Sequence, residues 1–386
     1  MSIQQNFPAI SPSLCLNFTR SKTLDPRITF IRTSSATRVN GKGLIEVVPA
    51  NTPRFDHSYD PVSGTVRSLG LLIEESRSNL LFHSEDLSTF WSQFLITSLT
   101  TNSIISPSGT LTADIVTFSN NQFSDVNHNT AFITNGTTYT LSVWARSVSG
   151  SSQFRFKYWN TSIGVYSDNI AVDETWKRYT YTFTATSTAG GSNIGFANSS
   201  DGTSKSVVFW GAQLEEGSFP TSYIPTTNST ATRTADNASI VGENFSSWYN
   251  QSEGTSLINY NIPIASGDQA VAEFNDNTSS NRMIFFHSVG STARFLTFSS
   301  GSAVVTTLDR TSSRVSKWVG AYKAGDYGSS YNGSNTLTNT YSSTISNINR
   351  LRIGSSASGS LFNGTISQLT YYPRRLSNQI LQNLTK

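Results

Sequence analysis

Apolar and polar positions alternate along most of this chain with a period of two, the signature of strands with one buried face. Residues 139–146 place Tyr139, Leu141, Val143 and Ala145 on one side. In 154–159, Phe154, Phe156 and Tyr158 share one face, and Arg155, Lys157 and Trp159 share the other. Residues 176–183 turn Tyr179, Tyr181 and Phe183 inward against a Thr-rich outer side. The run 207–214 is nearly continuous in apolar residues and predicts a central strand. Shorter runs at 27–32, 44–48, 69–73, 270–274, 283–287, 294–298, 303–308 and 318–323 follow the same pattern. Turn signals separate them: Asn40-Gly41-Lys42-Gly43, Asp60-Pro61-Val62-Ser63-Gly64, Gly325-Asp326 and Asn332-Gly333. At the end of the chain, an Asn363-Gly364 turn feeds an alternating run to Tyr372 and Pro373 stops it. Ser377 is placed to cap a short terminal helix, with Leu376 and Leu381 spaced as a hydrophobic staple.

The pattern predicts an all-β chain of two antiparallel β-sandwich domains, of jelly-roll or lectin-like type, preceded by a small β-hairpin N-terminal segment. Residues 1–80 form that segment, too small and loop-rich to fold alone, so it is expected to pack on a neighbour or another chain. Residues 81–225 form the first sandwich, 226–234 a Thr/Ser/Asn-rich linker, and 235–386 the second sandwich. The tripeptide Ala-Thr-Arg occurs at 36–38 and at 231–233, too short a match to be a repeat. Trp318 and Tyr322 share a strand face with Gly320, which reads as core packing.

Composition narrows the class. A chain of 386 residues suffices for two or three domains. Charged residues are 13% of it, about half the usual ~25%. Aromatics at 12% exclude a disordered polar chain. Ser, Thr, Asn and Gly replace Lys and Glu, which suits turns and exposed β-faces. The net charge of +3 is spread without a polybasic stripe, so no nucleic-acid partner is expected. One cysteine, Cys15, allows no internal disulfide. The N-terminus lacks a secretory pattern, and no window has the apolar length of a membrane span, so no membrane insertion is expected. Asn-x-Ser/Thr sequons such as those at Asn135, Asn244 and Asn332 then read as composition.

Three passages together resemble a family of tailed-bacteriophage structural proteins. The first runs Leu24-Asp25-Pro26-Arg27-Ile28-Thr29-Phe30, through Ala36-Thr37-Arg38 and Gly43-Leu44-Ile45-Glu46, to Pro53-Arg54-Phe55-Asp56-His57. The second is Gly70-Leu71-Leu72-Ile73-Glu74-Glu75-Ser76-Arg77-Ser78-Asn79-Leu80-Leu81. The third is Trp210-Gly211-Ala212-Gln213-Leu214-Glu215-Glu216-Gly217 with Pro220-Thr221-Ser222-Tyr223-Ile224-Pro225-Thr226. The middle unit is similar to carbohydrate-binding-module jelly rolls of phage fibres, and the C-terminal unit resembles concanavalin A/laminin-G-like domains. The resemblance implies a virion appendage of the tail-fibre, tail-tip or head-fibre type. It implies a homo-oligomer, commonly a trimer, joined to other phage structural proteins through its N-terminal segment and made in the host cytoplasm. It implies no catalytic residues.

No constellation of side chains asks for covalent chemistry. His57, His83, His128 and His287 are far apart, without zinc-ligand spacing, and no Asp-x-Asp-x-Asp-Gly run marks a calcium loop. No metal and no cofactor is expected. There is no Gly-x-Ser-x-Gly elbow. Cys15, between Leu14 and Leu16, reads as a small buried apolar residue. Residues 354–359 have P-loop-like glycine spacing, but Ser360 stands where a lysine must reach phosphate. Glycoside hydrolysis needs two converging carboxyl groups. The visible pairs, Glu74-Glu75 and Glu215-Glu216, are adjacent residues that point to opposite faces of a strand. They are expected to meet Arg77, Arg38 or another basic partner at a domain junction, and no enzyme is expected.

Sugar binding fits better. Saccharide rings present apolar C–H faces and hydroxyls, so their sites pair an exposed aromatic with hydrogen-bonding neighbours. Trp159 beside Arg155 and Lys157, with Tyr166 on a nearby segment, matches that pattern. The same face could equally be covered by another strand, loop or subunit. The expected function is adsorption to a host-surface glycan, with weak sites made strong by the oligomer. The alternatives are a purely structural decoration or connector of the virion and, further off, a polysaccharide depolymerase.

Overall fold

The first and last strands of the chain are hydrogen-bonded to each other. Leu14–Asn17 runs antiparallel to Gly364–Tyr372, with Leu14 opposite Tyr371 and Leu16 opposite Leu369. The structure, a computed structural model, describes residues 8–130, 133–159, 164–186, 192–263, 267–288, 292–307 and 315–386. The regular structure of these residues is almost all antiparallel strand, as the alternation predicts, with short helices only at Glu243–Ser246 and Asn378–Leu384. No helix among them is long and apolar enough to cross a membrane.

One sandwich pairs an eight-stranded sheet with a seven-stranded one. The first sheet holds Glu253–Asn261, Val315–Lys323 and Gly364–Tyr372 together with Thr65–Ile73, Arg54–Asp60 and Leu14–Asn17 from the first eighty residues. The second holds Gln269–Asn275, Arg282–Ser288, Asn237–Val241 and, at its edge, Thr29–Ile31. Their inner faces share one core containing Leu71, Ile73, Ile258, Phe274, Phe285, Trp318 and Tyr371. Tyr322 is in the same core, and Gly320 leaves the space that the Phe295 ring fills. The first eighty residues therefore do not stand apart as a segment. Their strands Leu14–Asn17, Thr29–Ile31, Arg54–Asp60 and Thr65–Ile73 complete the sandwich formed by residues after 235, where Leu14, Leu16, Phe55, Leu71 and Ile73 are covered, while the hairpin of Ala36–Val39 and Ile45–Val48 packs Ile45 against Trp210 and Tyr223.

The second sandwich is inserted between Thr65–Ile73 and Asn237–Val241. Its five-stranded sheet has Ser206–Glu216 at the centre, flanked by Thr138–Ser147 and Leu111–Phe118, with Lys177–Thr184 and Ile96–Ile105 outermost. Its six-stranded sheet runs Gly164–Tyr166, Ser152–Trp159, Ser192–Asn198, Asp125–Thr130, Trp91–Phe94, with Ile170–Val172 also on Ser152–Trp159. Leu141, Val143, Phe154, Phe156, Phe196 and Phe209 fill the space between. Gly211, at φ +67, makes a bulge where pairing to Thr138–Ser147 slips. The bulge sends Trp210 outward to Trp144 and Tyr223, while Phe209, Ala212 and Leu214 all stay in the main core.

The chain enters and leaves this insertion side by side, on the paired strands Arg77–Asn79 and Ala231–Arg233. The stretch 226–234, expected as a loose linker, is thus half of a ribbon, and Thr226 is buried with its hydroxyl on the Leu81 carbonyl. A buried charge network clamps this neck. Asp236 accepts from Arg32 Nη1 at 3.0 Å and from Arg54 Nη2, and Glu74 accepts from Arg54 at 2.7 Å and Arg233 at 3.0 Å. Glu74 also takes the Ser222 amide at 2.7 Å. Burial alone would raise its pKa, but Arg233 and Arg54 hold it down at about 2. The Asn79 side chain ties Ala212 O, Ile224 O and the amides of Leu81 and Leu214 together.

Two local expectations differ. Cys15 is exposed, since period two turns it away from buried Leu14 and Leu16. Ser377 sits at the N-cap of the terminal helix but its side chain makes no capping bond. That helix is held by Leu376 and Leu381 in one apolar cluster.

Candidate functional site

The outer face of the six-stranded sheet carries a cleft of about 590 Å³. Its floor follows from alternation in two strands. In Ser152–Trp159, Phe154, Phe156 and Tyr158 enter the core, so Arg155 and Lys157 face out. In Asp125–Thr130, Val126 enters the core while Asp125 and Asn127 face out. Registry then lines up Tyr166, Lys157, Gly195, Asn127 and Ser92 as one row across five strands. Gly195 is required in that row: a Cβ there would lie 2.0 Å from the Val126 carbonyl oxygen.

Lys157 Nζ donates to Asp125 Oδ2 at 2.6 Å, with both side chains largely shielded from water. Asn127 Nδ2 also donates to Asp125. Burial pushes the Asp125 carboxyl above its ordinary pKa, against the hydrogen bond and charge of Lys157. The floor is therefore a matched ion pair flanked by the amides of Asn127 and Asn193.

The rim is apolar and open. Phe94 is 52% exposed, Leu95 48% and Phe123 47%, and all three line the cleft. Phe123 lies 6.4 Å from the Tyr166 ring, centroid to centroid. Leu95 has φ +54, a left-handed conformation uncommon for a bulky side chain. It falls where the chain leaves the six-stranded sheet for the five-stranded one, and its carbonyl accepts from Ser124 Oγ at 2.8 Å.

Of the residues singled out in the sequence, Lys157 and Tyr166 line the cleft. Arg155 stands behind it. Its guanidinium packs 4.4 Å from the Tyr166 ring centre and donates to the carbonyls of Asn198 (2.8 Å) and Gln122 (2.7 Å). It positions Tyr166 and is not open to a ligand. The Trp159 backbone pairs with Gly164 and Asn193, and its side chain lies outside the described residues. Phe94, Leu95, Phe123, Asp125 and Asn127 were not anticipated. The alternation Asp125-Val126-Asn127-His128 was a readable signal for two of them, whereas Phe123 sits in a polar turn without periodicity.

Beneath the floor, His128 is buried between Phe82 and Trp91, and its Nε2 accepts the Phe82 amide at 3.2 Å. Burial lowers its pKa to about 4. The unfolded value is higher, so the stability held by neutral His128 is present above roughly pH 6.5 and is lost as pH falls toward 4. Asp114 works in the opposite sense, since burial raises it to about 6 although it accepts the amides of Leu87 and Asn102. A difference measurement separates the two. The stability gap between the wild type and His128→Gln should narrow by on the order of 3 kcal/mol from pH 6.5 to 4, read by denaturant titration at each pH. A gap independent of pH would contradict a buried neutral imidazole.

Three of the four paired glutamates have partners elsewhere, and Glu216 is exposed. Glu74 and Glu215 both point into the neck, where Glu215 accepts from Gln213 Nε2 at 2.7 Å and from the Thr221 amide at 2.9 Å. Glu75 pairs with Arg77. Among the described residues no three His, Cys, Asp or Glu side chains group as metal ligands.

No protein-family model matches the chain, and no curated protein matches it. Among solved structures it is similar to the Ruminococcus gnavus IT-sialidase CBM40 bound to α2,3 sialyllactose, at 14% identity and a TM-score of 0.32, over 37% of this chain and 88% of that one. It is similar to domain 4 of AbnA, a GH43 extracellular arabinanase from Geobacillus stearothermophilus, in complex with arabinotriose, at 10% identity and 0.33, over 44% and 82%. A third is the NanB sialidase of Streptococcus pneumoniae, at 14% and 0.33, over 37% of this chain and 26% of that one.

Proposed function

We propose that this chain is a non-catalytic glycan-binding protein whose ligand seat is the cleft on the six-stranded sheet, and that its ligand is a neutral saccharide. The carrying observation is the combination of an open apolar rim, Phe94, Leu95 and Phe123, with the half-buried Tyr166 ring beside a floor of buried, mutually satisfied polar groups. Aromatic faces stack on sugar C–H surfaces, and Asn127, Asn193 and Ser92 offer hydroxyl partners. Lys157 is neutralised by Asp125, so the floor has no spare charge to recruit an acidic sugar. Asp125 is the one carboxylate among the described lining residues, and hydrolysis of a glycoside needs two. The motif resemblance supports placing the protein in the surface appendage of a tailed-phage virion, as a homo-oligomer whose copies supply avidity for host-surface glycan. The test is a glycan array probed with the intact protein. Binding concentrated on neutral hexose- or hexosamine-containing structures is the expected result, and signal confined to sialylated or sulfated glycans overturns the neutral seat. In the purely structural alternative the rim residues are subunit contacts, and the array stays blank.

A further inference from the structure

We infer that the chain has a second ligand site, a basic cleft on the larger sandwich that takes a saccharide bearing phosphate, sulfate or carboxylate groups. The cleft has a volume of about 530 Å³ and lies between the turn after Leu14–Asn17 and the hairpin formed by Ala36–Val39 and Ile45–Val48. Two rigid turns aim cations into it. Asn17 Oδ1 accepts the amides of Thr19 and Arg20, each at 3.2 Å, and so fixes the loop that carries Arg20 and Lys22. On the other wall, Asn40 Oδ1 accepts the amides of Lys42 (2.9 Å) and Leu44 (3.2 Å) and holds the hairpin tip. The floor is buried Phe55 and the His57 ring, whose Nδ1 lies 3.0 Å from the Val39 carbonyl.

Charge carries the inference. Arg20, Lys22, Arg38 and Lys42 line the cleft, against a single carboxylate, Glu46. Both oxygens of that carboxylate are engaged, Oε1 by Arg38 at 2.6 Å and Oε2 by Asn40 Nδ2 at 2.9 Å. Arg20, Lys22 and Lys42 consequently have no ion-pair partner among the described residues. The entire chain has a net charge of only +3, so this one concavity holds as much unbalanced positive charge as the full sequence. Like charges gathered over a concave surface of low dielectric raise the local potential, and a bound anion relieves it. Hydroxyls of Thr19, Ser21 and Ser68 complete the lining, as a saccharide needs. Phe55 is buried and no exposed phenyl, phenol or indole ring is present, so the cleft lacks the stacking platform of a nucleic-acid groove.

The experiment is calorimetric titration of the full chain with a heparin-derived tetrasaccharide at low ionic strength. It is repeated with the triple variant Arg20→Gln, Lys22→Gln, Lys42→Gln and with a control that removes three exposed cations elsewhere, Lys177→Gln, Lys323→Gln, Arg374→Gln. The cleft variant should lose about tenfold or more in affinity, the control should not, and binding should weaken with added salt. Thermal melts of both variants should match the wild type, because the residues replaced are exposed. Equal loss in the two variants, no binding by the wild type, or tighter binding of a single-stranded oligonucleotide of equal charge would each overturn the proposal. Retention of array signal on neutral glycans by the cleft variant keeps the result independent of the aromatic cleft.

Discussion

Replacing Asp236 by alanine should destabilise the protein by about 3–5 kcal/mol, measured as a shift in the denaturant midpoint. Asp236 accepts from Arg32 and Arg54 and from the Glu74 amide at 3.0 Å, and none of these groups reaches water. Without it, two buried guanidinium groups compete for Glu74 and backbone carbonyls. The effect should be larger than for any exposed pair, because screening and water cannot replace the lost partner. It should also loosen the hinge between the sandwiches, since Arg32 and Arg54 belong to one and the 231–236 stretch to the neck. A loss below about 1 kcal/mol would mean that the neck is hydrated and its charges are individually solvated.

The second large effect is on binding. The double substitution Phe94→Ala, Phe123→Ala should reduce affinity for the neutral glycan by about tenfold or more while leaving the melting temperature within a few degrees. Both rings are about half exposed, so their removal opens no core cavity. Lys157→Ala is a poorer probe, because it strands the buried Asp125 carboxylate and couples binding to folding. Glycan affinity unchanged by the double substitution would remove the cleft as the seat.

Much of the strand content was legible because period two is a local property. Phe154, Phe156 and Tyr158 announced a buried face, and Val207 to Leu214 announced a central strand, with no knowledge of partners. The insertion was not legible. It depends on Leu14 meeting Tyr371 and on Ile73 meeting Gly364, pairings more than 290 residues apart in sequence that no local pattern encodes. The same topology gathers part of the three motif passages in one place. Arg54, Glu74, Asn79, Glu215, Thr221 and Ser222 come from those three passages and meet in and around the neck, so these six residues build a joint. The candidate site was half legible. Lys157 and Tyr166, singled out from alternation and aromatic content, line the cleft, but Arg155, expected on an open face, is consumed by two backbone carbonyls. Phe94 and Phe123 escaped notice because one ends a short strand and the other lies in a turn, where exposure is set by tertiary packing.

The central claim is most directly tested by a crystal structure of the protein soaked with the best neutral oligosaccharide from the array. A sugar ring stacked on Phe123 or Tyr166, with hydroxyls reaching Asn127 or Asn193, is the predicted result. An empty cleft with the saccharide bound elsewhere on the molecule would contradict it.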